Sequence, residues 1–177
     1  MDGQSCLVRC DAPKTEAVQP GESMPKRRDQ IRMTEEELWS FIGEQKTVQV
    51  ATLNRDGSPH LVPLWFAHDQ STIILETFTK SQKVKNLERD PRITLLFEDG
   101  RVYEKLRGAS ISARAELVQD VDRVHALHRQ VLLRNTPELP RDVIDQASRS
   151  MAPKKTAILV RPERVVTWDH GKLGGIY

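Results

Sequence analysis

The stretch Glu76-Thr-Phe-Thr-Lys-Ser-Gln-Lys-Val-Lys-Asn-Leu-Glu-Arg-Asp-Pro91 marks the point where a predicted strand gives way to a short helix. Its hydroxyls come from Thr77, Thr79 and Ser81, and its positive charges from Lys80, Lys83 and Lys85. The free N–H groups at the start of a helix favour an anion. The stretch therefore predicts one of two things, either a cradle for a phosphate ester or a solvated turn in which Ser81 caps the helix.

Length and composition limit the class of protein around this stretch. A chain of 177 residues predicts one domain with a real core. The net charge of +2 gives no basic field that would predict nucleic-acid binding. The mean hydropathy is −0.53, and no apolar run approaches the roughly 20 residues of a membrane span. The first residues lack the basic and then apolar pattern of a secretory signal, so we expect a cytoplasmic protein.

Residues 1–28 mix Pro, Gly, Glu, Lys and Ser without an apolar period, which predicts a disordered N-terminal tail. Residues 29–177 then form the folded domain. Both cysteines, Cys6 and Cys10, fall in the tail. A structural zinc ion needs four ligands, and no second cysteine pair or nearby histidine is available, so we expect no metal site.

The first half of the domain predicts a capped helix followed by strands. Thr34 and Glu37 form a capping box. Strands are predicted at 47–53 and 59–66, joined by a turn with the hairpin signal Asp-Gly. Pro63 cannot donate to a strand ladder, so the second strand has an open edge, a bulge or a break there. Main-chain groups from Val62 to Trp65 are then free to bind something else.

The second half adds strands with short connections and two late helices. Further strands are predicted at 72–77, 92–98, 108–118 and 156–167, and helices at about 82–90, 120–133 and 141–150. His125 and His128 are interpreted as surface histidines because no further ligand completes a metal set. Six strands joined mostly by short turns predict a mainly β fold, an antiparallel β-barrel with a few helices.

From about Pro25 to Tyr177 the chain resembles the pyridoxamine-phosphate-oxidase-like split-barrel family. The matching motifs are Val50-Ala-Thr-Leu53, Asp56-Gly-Ser-Pro-His-Leu-Val-Pro-Leu-Trp-Phe66, Ser81-Gln-Lys-Val-Lys-Asn-Leu-Glu-Arg-Asp-Pro-Arg92 and Trp168-Asp-His-Gly-Lys-Leu-Gly-Gly175. The resemblance implies a six-stranded antiparallel split barrel. It also implies a homodimer with two flavin-type cofactors at the interface and a small-molecule substrate.

By matching position, the resemblance implies which residues hold the cofactor. The ring would lie against the main chain of Val62, Pro63, Leu64 and Trp65. The cofactor's side chain and phosphate would meet Thr77, Thr79, Lys80, Ser81, Gln82 and Lys83. The partner subunit would wall the site, and Tyr103 and Trp168 are the candidates for that role.

One position departs from the family pattern. Gln82 stands where FMN-dependent members usually carry arginine, and a glutamine cannot bind a phosphate with a charged fork. Lys80 and Lys85 are candidates to compensate. The pattern is closer to the branch that uses the deazaflavin coenzyme F420, whose acidic tail a lysine-rich rim would attract.

The sequence therefore predicts an oxidoreductase that transfers a hydride between F420 and an unsaturated small organic substrate. FMN is the alternative cofactor, and a non-catalytic flavin- or haem-binding protein is the alternative function. No paired carboxylates or catalytic triad stand out, and His60 is the one candidate proton donor because it lies beside the ring-binding stretch.

Overall fold

The structure is a computed structural model that describes residues 27–174. The α-helices are α1 Arg27–Gln30, α2 Glu35–Glu44, α3 Gln82–Arg89, α4 Val121–Asn135 and α5 Arg141–Met151. The strands are β1 Val48–Leu53, β2 Pro59–Leu64, β3 Phe66–His68, β4 Ile73–Phe78, β5 Arg92–Asp99, β6 Arg107–Val118, β7 Lys155–Val160 and β8 Arg164–Asp169. None of the described helices is long and apolar enough to cross a membrane.

The strands form one curled antiparallel sheet in the order β2-β1-β5-β6-β7-β4-β3, with β8 also paired to β6. The long strand β6 joins two parts of this sheet. Its first eight residues pair with β5 and its first six with β8, and its last four residues pair with β7. The mainly β, antiparallel split-barrel prediction is confirmed.

The number of strands is a correction, because six were predicted and eight are found within residues 27–174. The predicted strand 156–167 is two strands, since residues 161–163 lie against only residues 113 and 114 of β6. The extra residue bends the strand as a bulge does, and Pro162 has no N–H to continue a ladder. The predicted strand 59–66 is also divided, at Trp65.

The core lies inside the curl of the sheet. Alternate residues of β1, β5 and β6, among them Val50, Leu95 and Ile111, are fully buried against α2. A smaller cluster packs α4 onto the opposite face of β4 and β7. Consecutive side chains of β4 therefore point into two different clusters, which is the period of two that a strand dictates.

Helix α2 begins as the sequence predicts. The Thr34 hydroxyl accepts from the Glu37 N–H at 3.2 Å, and the Glu37 carboxylate accepts from the Thr34 N–H at 2.7 Å. The boundary of the N-terminal segment differs, because Arg27 and Arg28 belong to α1. Residues 1–26, and with them both cysteines, lie outside the described residues.

Candidate functional site

The junction between β4 and α3 brings three predicted site residues together. The Lys83 ammonium donates to the Thr77 hydroxyl at 3.1 Å, and that hydroxyl donates to the Ser81 hydroxyl at 3.3 Å. Thr77 is buried, while Ser81 and Lys83 are half-buried. One ammonium and two hydroxyls therefore converge where the chain turns into the helix.

The start of α3 is not capped by a side chain. Ser81 occupies the N-cap position, but its hydroxyl makes no bond to the helix N–H groups. The predicted capping turn is thus only partly correct, because position 81 is the cap and its hydroxyl serves Thr77 instead. The free N–H groups of the first turn add to the positive end of the helix, and an anion is the partner they favour.

The neighbouring strand β7 completes the surroundings of this junction. Thr156 lies opposite Thr77, and its hydroxyl donates to that of Thr79 at 3.1 Å. The Thr79 N–H donates to the Lys154 carbonyl at 3.0 Å. Sequence reasoning missed Lys154 and Thr156, because nothing local indicates that β7 pairs with β4.

A buried ion pair lies behind the junction, on the face of β4 that packs against α4. Lys155 and Glu76 are 2.7 Å apart, and both side chains are largely buried. Burial lowers the pKa of Lys83, with Glu76 opposing that shift and Lys155 reinforcing it. Both groups therefore act on the charge of the Lys83 ammonium, and neither was predicted as a site residue.

Gln82 turns away from the cradle formed by Thr77, Ser81 and Lys83. Its amide donates to the Asn86 side chain at 2.9 Å, one helical turn further on. Asn86 is fully buried and donates at 3.1 Å to both Thr52 and Asn54. In this position Gln82 supports the docking of α3 on β1, a role that a motif comparison does not reveal.

The other predicted lysines lie at the rim. Lys80 and Lys85 are exposed, and no ion pair is found for either within residues 27–174. Lys154 is exposed beside Thr79. Lysines from two separate segments thus surround the junction, and among the described residues the one ion pair in this group is that of Lys155.

The predicted ring-binding segment is an edge strand. β2 pairs with β1 alone, and Pro63 lies opposite Gln49 within it. The break falls at Trp65, two residues later than Pro63, and the Trp65 side chain is 43% exposed. Of the three possibilities at Pro63, the open edge is the one found.

His60 lies near the other end of β2, opposite Thr52. It is half-buried, and it is separated along the chain from Trp65. Because the Thr52 hydroxyl accepts from Asn86 of α3, His60 lies at the end of β2 that α3 docks against. Within β2, His60 therefore lies at the α3 end, away from the exposed indole of Trp65.

Two further histidines correct the sequence prediction. His128 is buried rather than at the surface, with its Nδ1 atom 3.8 Å from Glu76. His125 faces Asp145 of α5 at 3.3 Å. Each histidine thus has its own carboxylate across a helix interface, which accounts for both without a metal.

Tyr103 and Trp168 lie far from the cradle of their own subunit. Trp168 lies opposite Gly108 and packs on it, whereas the cradle lies beyond Val118. The ten steps from Gly108 to Val118 amount to roughly 30 Å of strand length at about 3.3 Å each. Tyr103 stacks edge-on against His170 near the same end as Trp168. Neither residue walls the site within one chain.

Comparison with known proteins gives matches over most of the chain. The F420H(2)-dependent biliverdin reductase of Mycobacterium tuberculosis (strain CDC 1551 / Oshkosh) is 31% identical over 94 residues, covering 51% of this chain and 68% of that protein. A conserved hypothetical protein of Mycobacterium tuberculosis superimposes with a TM-score of 0.78 at 37% identity, covering 86% of this chain and 95% of the other.

A solved F420 reductase structure shares the fold at a lower level. Its TM-score is 0.58 at 22% identity, with 71% of this chain and 93% of the other covered. Residues 34–169, which include the cradle and the whole sheet, match the family described as pyridoxamine 5'-phosphate oxidase. Because this match covers well over half of the chain, the protein belongs to the pyridoxamine 5'-phosphate oxidase family.

Proposed function

We propose that this protein is an oxidoreductase that transfers a hydride between coenzyme F420 and an unsaturated small organic substrate. The observation that carries the proposal is the cradle, in which Lys83, Thr77 and Ser81 converge on the uncapped start of α3. The similarity to an F420H(2)-dependent reductase supports the choice of cofactor. When bound, F420 would supply the hydride chemistry, and the protein supplies binding and orientation.

In this proposal the cradle holds the phosphodiester of the cofactor. Lys83 provides charge, the Ser81 hydroxyl provides a donor, and the first N–H groups of α3 complete the anion site, while the Thr77 hydroxyl holds Lys83 and Ser81 in place. The fit follows from the donors present, because the ammonium, the Ser81 hydroxyl and the helix start all favour an anion there. Lys80, Lys85 and Lys154 form a basic rim that attracts an acidic tail at long range.

The main chain from Val62 to Trp65 would orient the ring. This segment is an edge strand and then a break, so its outer N–H and C=O groups have no partner strand. His60 remains the candidate proton donor on the same strand. Holding the reacting atoms in line is a contribution to the rate that the protein can supply itself.

We also propose that a second copy of the chain completes the site. Two rows of residues cross the outer face of the sheet, with Leu61, Ala51, Thr94, Ser112 and Arg164 in one row and Pro63, Gln49, Leu96, Ser110 and Val166 in the other. All are exposed or half-buried, and Arg164, at the end of its row, is the one residue of these ten that carries a charge. A largely uncharged, partly apolar face of this kind fits an interface between copies.

The first experiment is a paired titration of cofactor-free protein. Tryptophan fluorescence is followed while F420 is added to one sample and FMN to another. Much tighter F420 binding, followed by hydride transfer to a reducible acceptor, is the expected result. Tighter FMN binding would move the proposal to an FMN-dependent oxidase or reductase. Binding of flavin or haem without hydride transfer would favour a carrier, and binding of neither cofactor would overturn the proposal.

The residue-level test is Lys83→Ala, with Lys85→Ala as its matched control. A charge-assisted hydrogen bond contributes about 1.5–3 kcal/mol, so we expect the Lys83 variant to raise the dissociation constant about tenfold to a hundredfold. Lys85 is exposed on the same helix, so its removal should have a much smaller effect. Equal effects from both would mean that long-range attraction, and not contact at the cradle, holds the cofactor.

A further inference from the structure

Arg134, in the last turn of α4, bridges two separate parts of the fold. Its Nη1 donates to the Phe66 carbonyl at 3.3 Å. Its Nη2 lies 3.0 Å from the Gly43 carbonyl and 2.5 Å from that of Gln45. The centre of its guanidinium group is 4.0 Å from the centre of the Phe66 ring. One side chain thus holds the end of α2 and the start of β3 together.

Asn135 adds a second donor to the same point. Its side-chain amide donates to the Phe66 carbonyl at 3.0 Å and to the Val131 carbonyl at 2.8 Å. The residue is 4% exposed. Lys46, just before β1, donates in turn to the Asn135 carbonyl at 3.1 Å. The end of α4 is therefore bonded to both chain segments that flank the first hairpin.

The contacts of Arg134 and Asn135 with Phe66 matter because the neighbouring residue, Trp65, lies between two strand ladders. Leu64 is opposite Val48 in one ladder, and Phe66 is opposite Leu75 in the next. Trp65 belongs to neither, so its main chain is set by its two neighbours. The contacts of Arg134 and Asn135 fix Phe66 on one side of Trp65. On the other side, the contacts of Arg134 with residues 43 and 45 fix the segment that precedes β1, the strand of Val48.

We propose that Arg134 and Asn135 are positioning residues. They hold the joint, which is the break between β2 and β3 at Trp65, and with it the ring-binding main chain of Val62–Trp65. The inference rests on the proposed function, since the contact between this segment and the cofactor ring is part of it. Arginine suits the task because its planar fork reaches several carbonyls at once while it stacks on an aromatic ring. Lysine keeps the charge and loses both properties.

The first test needs no cofactor. Amide hydrogen exchange at residues 62–68 is compared between the wild-type protein and Arg134→Lys, with Arg129→Lys as control. Arg129 lies in the same helix and faces Asp145 instead. We expect exchange at the joint to rise about tenfold in the Arg134 variant, as loss of about 1.4 kcal/mol gives, and to stay unchanged in the control. Unchanged exchange in both would overturn the inference.

The second test measures coupling to the ring. The F420 dissociation constant is determined for Arg134→Lys, Trp65→Ala and the double variant. If Arg134 acts through the joint, its substitution weakens binding in the wild-type background and adds little once Trp65 is gone. Additive effects would overturn the inference, because a loss of general stability would not depend on Trp65.

The two tests separate the inference from the proposed function. If wild-type protein binds neither F420 nor FMN, the proposed function fails, and the exchange result alone decides whether the joint is held as described. Asn135→Ala replaces Arg134→Lys if the latter does not fold, because it removes one of the two donors to the same carbonyl. Affinity for inorganic phosphate at the cradle should remain at the wild-type value in every folded variant, and a loss there would contradict a role confined to the ring.

Discussion

Asn86 shows what a single residue contributes to this site. It has no exposed surface, and its amide joins Gln82 of its own helix to Thr52 and Asn54 at the end of β1. If the buried Asn86 amide lost these partners, several polar groups would be left without hydrogen bonds. Each of them would cost about 1–3 kcal/mol of folding stability. The helix that presents Lys83 is therefore held in place by a residue that makes no contact with the anion cradle.

Gly108 is a second single residue whose size the structure restricts. A Cβ atom built there would lie 2.1 Å from the Trp168 ring, so the indole packs directly on the backbone. We expect Gly108→Ala to destabilise the protein by about 1–3 kcal/mol through overpacking and to displace Trp168. Urea unfolding gives the stability, and the tryptophan emission spectrum reports the displacement.

Gly43→Ala is the matched control for that substitution. A Cβ at Gly43 would meet only the His68 ring, at an ordinary 3.7 Å. Because Gly43 lies in α2, alanine there should be neutral or stabilising by up to about 1 kcal/mol. Equal losses of stability in the two variants would show that Trp168 does not need the space above Gly108.

Helix α4 packs on the sheet from outside and contacts it at two places that bear on the proposed site. Its last turn holds the joint at Trp65, and its middle covers the Glu76–Lys155 pair through His128. Burial lowers the pKa of His128, while Glu76 raises it and Lys155 and His125 lower it further. The folded protein therefore favours neutral His128 more strongly than the unfolded chain does.

A pH dependence of stability follows from this burial. The unfolded chain takes up a proton at His128 near its usual pKa of 6.5, whereas the folded protein resists it. The stability gained by keeping His128 neutral is thus fully present above about pH 6.5. It is lost as the pH falls towards the lowered pKa of His128 in the folded protein. We expect His128→Gln to lose less stability than the wild-type protein between about pH 7.5 and about pH 5.5, measured by chemical unfolding. Equal losses would contradict the assignment.

The whole molecule leaves one large face of its sheet uncovered within the described residues. Leu61 is 61% exposed on this face, at the free edge formed by β2. Tyr103 and Trp168 lie near the end of β6 that is remote from the cradle, and in the proposed dimer they would approach the cradle of the other subunit. A second copy would therefore cover apolar surface and bring a second wall to the site.

Leu61→Glu tests this arrangement. A charge buried in an interface should shift the protein towards the monomer by at least about tenfold in the dimerisation constant, as seen by sedimentation velocity. Folding should change by no more than about 0.5 kcal/mol, because the residue is exposed in the single chain. Val143→Glu is the control, since Val143 is also exposed but lies on α5. Dimerisation unaffected by the Leu61 change would place the interface elsewhere.

The sequence by itself determined the features that rest on local chemistry. The Thr34–Glu37 capping box, the helix that ends before Pro91 and the alternation of β6 follow from neighbouring residues; the first two are found, and the alternation holds from Ala109 to Arg114. The motif between residues 76 and 92 likewise predicted that Thr77, Ser81 and Lys83 converge at the start of α3, because its hydroxyls, its lysine and the helix start are contiguous in the chain.

Only the tertiary structure decided which distant residues meet. The pairing of β7 with β4 brings Thr156 beside the cradle and Lys155 to Glu76 behind it, and the docking of α4 brings Arg134 to Phe66. The division of the last strand depends on the path of β6, because its partner changes from β7 to β8 along one edge. The contacts of Arg134 with Phe66 and of Thr156 with Thr79 join residues more than 60 positions apart, and no periodicity or short motif encodes a separation of that length.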